Sequence, residues 1–341
     1  MKRKAKTIMR RMRHVPQFAF LLSTVFSPLF SSAQSCQIGS DMDNTMKTAI
    51  TSAAQRYFDM AAKGDTASLR QNSVPSLASS FSGVESVVKG RQPELAGAQA
   101  SVKSVFELEK ENSSSAENAE FFCGVFGKNG QTQDSAIFNL NVPPGKYAVV
   151  ILEAASPKGN TSFTPVLELQ GTDWKLGGLY IKASEIAGHD SGWFISQART
   201  YKSKGQAHNA WFYYLEGRSL LAPVPFMSTQ ATDKLYDEFQ ASRPTDLPAD
   251  GKPEDLPAGA ATYKLTELFP DAVGNDLDLI VKYQTADASN SNQAYQSNLA
   301  VMKALVSKYP ELRDAFAAVV ARAVDPSSRD YGTLLAMKDI K

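Results

Sequence analysis

The spacing of hydrophobic residues changes from a helical period to a period of two at Gln99. Before that point, one helical face carries Ala49, Ala53, Tyr57, Met60 and Ala61. This spacing predicts an amphipathic helix from about Thr45 to Gly64, followed by shorter helical segments. After Gln99, hydrophobic residues alternate with mostly polar ones, which predicts a β-strand with one buried face.

Five further strands are predicted downstream, separated by Gly, Pro and Asn residues that favour turns. They run over Glu120–Gly127, Ser135–Val142, Lys146–Ala154, Ser162–Leu169 and Trp174–Lys182. Consecutive strands joined by short turns predict an antiparallel meander. Helices followed by a meander predict an α+β fold, in which N-terminal helices pack on one face of a curved antiparallel sheet.

Two sequence features give residues 45–183 a resemblance to a known family. The first helix carries Tyr57-Phe58 and then Ala61-Ala62-Lys63-Gly64-Asp65, and the last predicted hairpin contains Trp174-Lys175-Leu176. In these features the segment resembles nuclear transport factor 2-like domains, which implies a cone-shaped α+β fold. The family includes isomerases, dehydratases, transport factors and binding or assembly domains, so the resemblance implies fold more than function. Its enzymes place an Asp, His or Tyr inside the cone, and no residue here matches such a position.

Residues 188–242 have the spacing of a helical hairpin with a capping helix. Small, aromatic and turn residues follow in the order Ala198, Tyr201, Gly205, Ala210, Tyr214, Gly217 and Pro223. This order resembles a single tetratricopeptide-type repeat, whereas a stable array needs about three. A third helix is predicted over Gln230–Ala241, with Ser228 or Thr229 as its N-cap.

The composition changes again after this hairpin. Residues 243–259 hold four prolines and three aspartates with few apolar side chains, which predicts a linker. Residues 260–341 then predict a small C-terminal α+β domain. Its strands are expected at Tyr263–Leu268 and Leu277–Tyr283, a helix begins near Ser289 or Asn290, and Ala317–Val324 pairs with Tyr331–Met337.

The first 33 residues have the pattern of a secretory signal peptide. A basic head is followed by an apolar run over Phe18–Phe30 and then by small residues up to Ala33. The run has 13 residues, fewer than the roughly 20 that a membrane-spanning helix needs. We therefore expect cleavage after Ala33 and an exported bacterial-type protein, periplasmic or extracellular, with no transmembrane domain once the signal is removed. An uncleaved N-terminal anchor is the alternative.

The two cysteines, Cys36 and Cys123, allow three interpretations. An exported chain with an even cysteine count favours one disulfide between them. Lipidation of Cys36 at a new N-terminus is the second interpretation. Gln34, two residues before Cys36, fits poorly to a bacterial lipoprotein signal. Two free thiols are the third.

Charge argues against a nucleic-acid partner. The chain holds 36 basic and 35 acidic residues, and seven of the basic ones lie in residues 1–33. The mature chain therefore has 29 basic and 35 acidic residues, a net charge of −6. Nucleic-acid binding needs a basic face that neutralises phosphates, and no such cluster occurs in the sequence.

The sequence offers no catalytic, metal or cofactor motif. Only His189 and His208 remain in the mature chain, which is too few for a histidine-rich metal site. His189-Asp190-Ser191 contains the residue types of a serine triad, but adjacent side chains cannot converge as a triad does. Asp190 or Ser191 is instead predicted to cap a helix, and His208 to be a surface or packing residue. Gly177-Gly178 predicts a bulge within a strand.

Aromatic residues cluster late in the chain at Trp193, Trp211, Phe212, Tyr213 and Tyr214. Four consecutive rings cannot all lie on one helix face. Either this helix is packed on both sides within the protein, or part of the cluster is an exposed surface that binds a sugar, a peptide or another partner.

Together these features favour a non-catalytic envelope protein that binds a small-molecule ligand or a protein partner, with the hairpin packed against the cone to form a groove. One alternative is a cone-pocket enzyme, an isomerase or hydrolase that uses isolated Asp, Glu or Tyr residues. Another is a structural or assembly module, with the sheet face as a homodimer interface.

Overall fold

The computed structural model describes residues 34–111, 118–274 and 276–341. The predicted signal peptide, residues 1–33, lies outside the described residues. Helices and mainly antiparallel sheets confirm the predicted α+β class. None of the helices in the described part of the chain is long and apolar enough to cross a membrane.

The N-terminal part begins with a short strand and a group of helices. Strand β1 spans Gln34–Ile38, and the helices are α1 (Asn44–Ala62), α2 (Thr66–Gln71), α3 (Pro75–Ser79) and α4 (Ser82–Leu95). The carboxylate of Asp43 accepts the backbone N–H groups of Thr45 and Met46 at 2.8 and 2.9 Å, so α1 has a side-chain N-cap. Gly64, just beyond α1, has a φ of +70°, a conformation that favours glycine and ends the helix.

A large antiparallel sheet follows these helices. The next strands are β2 (Gln99–Lys110), β3 (Ala119–Gly127), β4 (Gly130–Leu140), β5 (Gly145–Ser156), β6 (Gly159–Gln170) and β7 (Asp173–Ala183). The large sheet has the order β1-β2-β5-β6-β7. Strand β7 has an irregular register at Gly177, because Leu176 pairs with Leu167 and Gly178 pairs with Val166. This is the bulge predicted from Gly177-Gly178.

The predicted meander is wrong at β3 and β4, which leave the large sheet. They pair with each other, and β4 also pairs with the short strand β10 (Met227–Thr229), so that these strands form a small sheet. The physical reason is that the large sheet is apolar on both faces. Phe106 and Val149 on its second face are covered by Phe121 and Phe138 of the small sheet.

The large sheet therefore lies between a helical layer and the small sheet. On the helical side, α1 and α4 bury a core in which Phe58 meets Phe163 edge to face, with ring centroids 5.3 Å apart. On the other side, Cys36 of β1 is bonded to Cys123 of β3, which confirms the predicted disulfide. This bond ties the edge of the large sheet to the small sheet.

Three helices follow the large sheet. A short hairpin of β8 (Glu185–Ile186) and β9 (His189–Asp190) leads into α5 (Ser191–Ser203), α6 (Ala207–Leu221) and α7 (Gln230–Gln240). Helix α7 begins with a capping box. The backbone N–H of Thr232 donates to the hydroxyl of Thr229 at 3.2 Å, and the backbone N–H of Thr229 donates to the hydroxyl of Thr232 at 2.8 Å.

Gly217→Ala is expected to lower the free energy of unfolding by about 1–3 kcal/mol, because α5 and α6 meet at this glycine. A Cβ at Gly217 would lie 2.8 Å from Cγ1 of Ile195 and 3.3 Å from its backbone nitrogen. Gly90→Ala in α4 is the matched control, since its Cβ would meet nothing within 4 Å and alanine gains about 1 kcal/mol of helix propensity. Urea unfolding compares the two variants. Equal stabilisation by both would contradict the tight helix contact.

The C-terminal segment forms a third sheet. Its elements are β11 (Glu254–Ala258), β12 (Ala261–Val273), β13 (Asp276–Gln284), α8 (Ser291–Lys308), a 3₁₀ turn (Pro310–Asp314), β14 (Ala318–Val324), β15 (Asp330–Ala336) and a last 3₁₀ turn (Met337–Asp339). The strands are ordered β11-β12-β13-β14-β15, and α8 crosses over between the parallel strands β13 and β14.

The predicted linker contains a strand that the sequence analysis did not include. Strand β11 lies within residues 243–259 and pairs with β12 at the edge of the C-terminal sheet. Leu256 is buried, whereas Pro257 occupies an edge strand, where a missing N–H is tolerated. One of the four prolines, Pro257, therefore belongs to an extended edge, and the other three precede the strand.

The helical hairpin and the C-terminal sheet share one hydrophobic core. Phe212 of α6 lies against Phe316, with ring centroids 5.9 Å apart. The hydroxyl of Tyr213 donates to the carbonyl of Ala315 at 2.8 Å, and that of Tyr201 donates to the carbonyl of Asp314 at 2.9 Å. Helix α6 is consequently buried between α5, α7 and the C-terminal segment.

Candidate functional site

The predicted aromatic surface is core. Trp211, Phe212, Tyr213 and Tyr214 are 8, 0, 5 and 0 % exposed. Helix α6 is packed on both sides within the protein, which is the first of the two interpretations offered by the sequence. Trp193 is half-buried, and its ring stacks on that of His189 at a centroid distance of 3.6 Å. These five side chains therefore hold the hairpin in place and do not form an open binding face.

His189, Asp190 and Ser191 have separate structural roles. The carboxylate of Asp190 accepts the backbone N–H of Trp193 at 2.8 Å, which is the helix cap predicted from the sequence. Ser191 donates its hydroxyl proton to the carbonyl of Gly217 at 2.8 Å and so ties α5 to α6. The three side chains do not converge on one another.

His208 is more tightly bound than the sequence predicted. Its Nδ1 lies 2.6 Å from a carboxylate oxygen of Glu311, and its Nε2 lies 2.9 Å from a carboxylate oxygen of Asp246. Burial opposes the charge of Asp246, yet the bond from His208 holds its pKa below the usual value. These bonds fasten the start of α6 to two segments of the C-terminal part.

A cavity of about 460 Å³ lies between the large sheet and the helical hairpin, and we call it the sheet–hairpin cavity. Its floor is formed by polar side chains at the ends of β5 and β6 and by Ser184 and Glu185, which follow β7. Its walls are the first turn of α5 and the end of α6, and Met227 and Thr229 of β10 close one side. The cavity has the size of a small-molecule site.

The floor of the cavity is a row of polar residues across an otherwise apolar sheet face. Glu153 of β5 pairs with Ser162 of β6, and Ser162 pairs with Lys182 of β7. Side chains directly opposite each other on neighbouring strands have Cβ atoms about 5 Å apart. Farther along the same strands this face is apolar, with Ile151 and Val166 packed in the core.

The two glutamates of the cavity are held by hydrogen bonds. The hydroxyl of Ser184 donates to Oε1 of Glu153. The backbone N–H and the side-chain amide of Asn160 donate to the two oxygens of Glu185, each at 3.1 Å. Both carboxylates are therefore fixed in position by neighbours at the strand ends.

Lys182, which pairs with Ser162 but does not line the cavity, points to the end of α6. Its ammonium group donates to the backbone carbonyls of Ser219 and Ala222. These carbonyls lie in the last turn of the helix and just beyond it, where a cation is favoured. Burial lowers the pKa of Lys182 from its usual value.

Ser162 is the one cavity-lining side chain of the described chain whose buried hydroxyl oxygen has no hydrogen-bond partner within the protein. The residue is 5 % exposed. Because a buried hydroxyl without a partner costs about 1–3 kcal/mol, Ser162 carries an unsatisfied hydrogen-bonding group at the wall of the cavity.

Thr164, two residues along the same strand face, is fully buried and also has an unpartnered hydroxyl oxygen. Thr164→Val keeps the shape of the side chain and removes that oxygen, so it is expected to raise the free energy of unfolding by about 1 kcal/mol. Ser73→Ala is the control, because the buried hydroxyl of Ser73 donates to the carbonyl of Leu69 at 2.8 Å and its removal is expected to destabilise. Denaturant unfolding measures both. A destabilised Thr164→Val protein would show that this hydroxyl is satisfied.

A more open depression of about 780 Å³ adjoins the sheet–hairpin cavity. Lys103, Ser104, Met227 and Thr229 line both. Lys103 is exposed and lies at the register shift of β2 between Val102 and Ser104. The shared lining residues give the cavity a route to the surface along the edge of β2.

The site is not apparent from the sequence, because its residues come from separate strands and from helix ends. The signal that was available is the polar residue at an inward-facing strand position. Ser162 and Thr164 alternate with Phe163 in a strand whose two faces are both buried. Alternation of polar and apolar residues along a strand identifies a buried polar position only when it is known which faces of the sheet are covered.

Among the described residues, no group of three or more His, Cys, Asp or Glu side chains is arranged to hold a metal ion. Comparisons with protein-family models, with curated proteins and with solved structures found no match to this chain. Its function therefore has to be inferred from the residues of the cavity.

Proposed function

We propose that this chain is an exported binding protein that holds a small polar molecule in the sheet–hairpin cavity. The observation that carries the proposal is the unpartnered hydroxyl of Ser162, buried in a cavity of about 460 Å³. A ligand that hydrogen-bonds to Ser162 would offset the cost of burying this hydroxyl without a partner. The surrounding polar groups are already oriented, which lowers the cost of binding.

The arrangement of the glutamates favours binding over catalysis. Glu153 is occupied by Ser184, and Glu185 is occupied by Asn160, so each carboxylate has a positioning partner. The space between the helices and the large sheet, where a cone-pocket enzyme would hold its reacting groups, is filled by apolar side chains. Both features support a non-catalytic role.

Export is the second element of the proposal. Cleavage after Ala33 would retain Gln34–Ile38, the residues of β1. Gln34 already contributes to the fold, since its side-chain oxygen accepts the backbone N–H of Glu120 at 2.9 Å. The intact mass of the envelope-fraction protein tests this element. A chain that begins at Gln34 and lacks two hydrogens is expected, and a diacylglycerol adduct on Cys36 would overturn it.

The two sequence resemblances are part of the proposal. Four helices on one face of a curved antiparallel sheet support a nuclear transport factor 2-like origin for residues 45–183. The antiparallel pair α5 and α6 supports a tetratricopeptide-like origin for the hairpin. On this interpretation the ligand site lies between the two elements, on the sheet face opposite the helices.

Ser162→Leu tests the binding site, because it fills the cavity and removes the unpartnered hydroxyl. The probes are neutral sugars, amino sugars, diamines and carboxylic acids at millimolar concentration, observed by saturation-transfer NMR. We expect at least one class to bind the unmodified protein and to lose at least tenfold in affinity with the variant. Ser203→Leu, at an exposed position of α5, is the matched control. Equal binding to all three proteins would overturn the site.

A further inference from the structure

We infer that the sheet–hairpin cavity selects a ligand that carries a cationic amine. This inference rests on the proposed function and names the class of molecule bound. Its basis is the balance of charge, acceptors and donors around Ser162.

The charged residues that line the cavity are mostly acidic. They are Glu153, Glu185 and Asp190, against the single basic residue Lys103, which gives a net charge of −2. Lys182 pairs with Ser162 on the neighbouring strand, and including its charge gives a net charge of −1. Its ammonium group is directed to the carbonyls of Ser219 and Ala222, not to Glu153. A ligand with one positive charge brings this environment close to neutrality.

The hydrogen-bonding capacity of the cavity points to a donor-rich ligand. Each ionised carboxylate offers about four acceptor positions. Ser184 occupies one position on Glu153, and Asn160 occupies one on each oxygen of Glu185. An ammonium group carries three donors and no acceptor, so it can bridge Glu153 and the hydroxyl of Ser162, which face each other across β5 and β6.

The two helix ends at the cavity act in opposite directions. The N-terminus of α5 would favour an anion, but Asp190 already places its carboxylate on the first-turn N–H of Trp193. The end of α6 favours a cation, but Lys182 already places its ammonium group on the carbonyls of Ser219 and Ala222 there, so neither helix end decides the charge of the ligand. Apolar wall residues such as Leu220 and Pro223 leave room for a hydrocarbon body beside the ammonium group.

Ser162→Cys allows the charge preference to be measured without knowledge of the natural ligand. The unmodified chain has no free cysteine among its described residues, so the introduced thiol is the reporter. Its rate of modification is measured with methanethiosulfonate reagents that carry a trimethylammonium, a sulfonate or a neutral methyl group. Ser203→Cys provides the reference rates for an exposed thiol.

We expect the cationic reagent to be favoured over the anionic one about tenfold more at position 162 than at position 203. Adding Glu153→Gln, which keeps the shape of the side chain, should reduce this preference to near that of the reference. Equal or anion-favouring rates at an accessible thiol would overturn the cationic assignment and leave the binding site standing. No reaction with any reagent, in a variant whose circular dichroism matches the unmodified protein, would overturn the proposed site as well. If Ser162→Cys does not fold, Ser184→Cys gives the same comparison, because Ser184 also lines the cavity and contacts Glu153.

Discussion

Replacing Cys36 and Cys123 together with alanine is expected to lower the free energy of unfolding by about 4 kcal/mol. The disulfide links residues 87 apart in sequence, and such a cross-link removes much of the freedom of the unfolded chain. The bond joins the edge of the large sheet to the small sheet, so the contact between these two sheets should weaken most in the double variant. Urea unfolding of the oxidised protein and of the double variant measures it.

Reductant provides the control for this prediction. Reduced wild-type protein should unfold at nearly the same urea concentration as the double variant, and the variant should not respond to reductant. If thiol titration shows two freed cysteines and the midpoint of the wild-type protein does not move, the bond does not stabilise the fold.

Glu216→Gln is expected to stabilise the protein at pH 8 and to have little effect at pH 5. Burial, reinforced by the nearby Asp271, raises the pKa of Glu216 to about 7. Between the ordinary pKa of a glutamate, about 4.3, and this folded-state value, the folded chain binds a proton that the unfolded chain does not. Stability therefore falls as the pH rises through this window.

The size of this effect follows from the shift. Raising the pKa of Glu216 from about 4.3 to about 7 lowers the free energy of unfolding by about 3 kcal/mol once the carboxyl is ionised. Partial exposure of the side chain to solvent reduces this loss to about 2 kcal/mol. Glutamine cannot ionise, so the gain in the free energy of unfolding should grow from pH 5 to pH 8. Thermal unfolding across this range measures it.

Glu238→Gln serves as a control of opposite sign. Arg199 donates to both carboxylate oxygens of Glu238 at 2.9 and 2.8 Å, and this pairing lowers the pKa of Glu238. Its stabilising contribution is present above the unfolded-state pKa, so this variant should lose stability at pH 8. If both variants respond to pH alike, the burial of Glu216 is not the cause.

Local sequence signals predicted many of the elements and their ends. The spacing of Ala53 and Tyr57 indicated α1, and Gly64 ended it because of its positive φ. Side-chain chemistry indicated Asp190 or Ser191 and Ser228 or Thr229 as helix caps, and Asp190 and Thr229 are the caps in the structure. The disulfide was the favoured one of three interpretations of the two cysteines, on the basis of an even cysteine count and a predicted signal peptide. Each of these inferences depends only on neighbouring residues or on cellular location.

Features that depend on distant packing could not be read in this way. The alternation in β3 and β4 is the same whether these strands extend the large sheet or cover its second face. The four rings of α6 indicated either a helix packed on both sides or an exposed surface. The contact of α6 with Phe316, which is distant in sequence, favours the first of these interpretations. The linker prediction missed β11 because edge strands tolerate proline.

The site was missed for the same reason. Glu153, Ser162 and Lys182 come from three strands, and their alignment is set by the registers of β5, β6 and β7. Nothing in the sequence places Gly192 of α5 or Pro223 beyond α6 beside them. A polar row becomes visible as a site only when the hairpin is seen to enclose it.

The most direct test of the central claim, a ligand site between the large sheet and the helical hairpin, is amide shift mapping by two-dimensional NMR. The probe is the compound that binds best in the saturation-transfer panel, titrated into the uniformly ¹⁵N-labelled mature protein. We predict that the largest shifts fall on Glu153, Ser162, Ser184 and Gly192, while amides of α1 in the helical core do not move. Shifts confined to the outer face of the C-terminal sheet, or to the core between α1 and the large sheet, would contradict the claim.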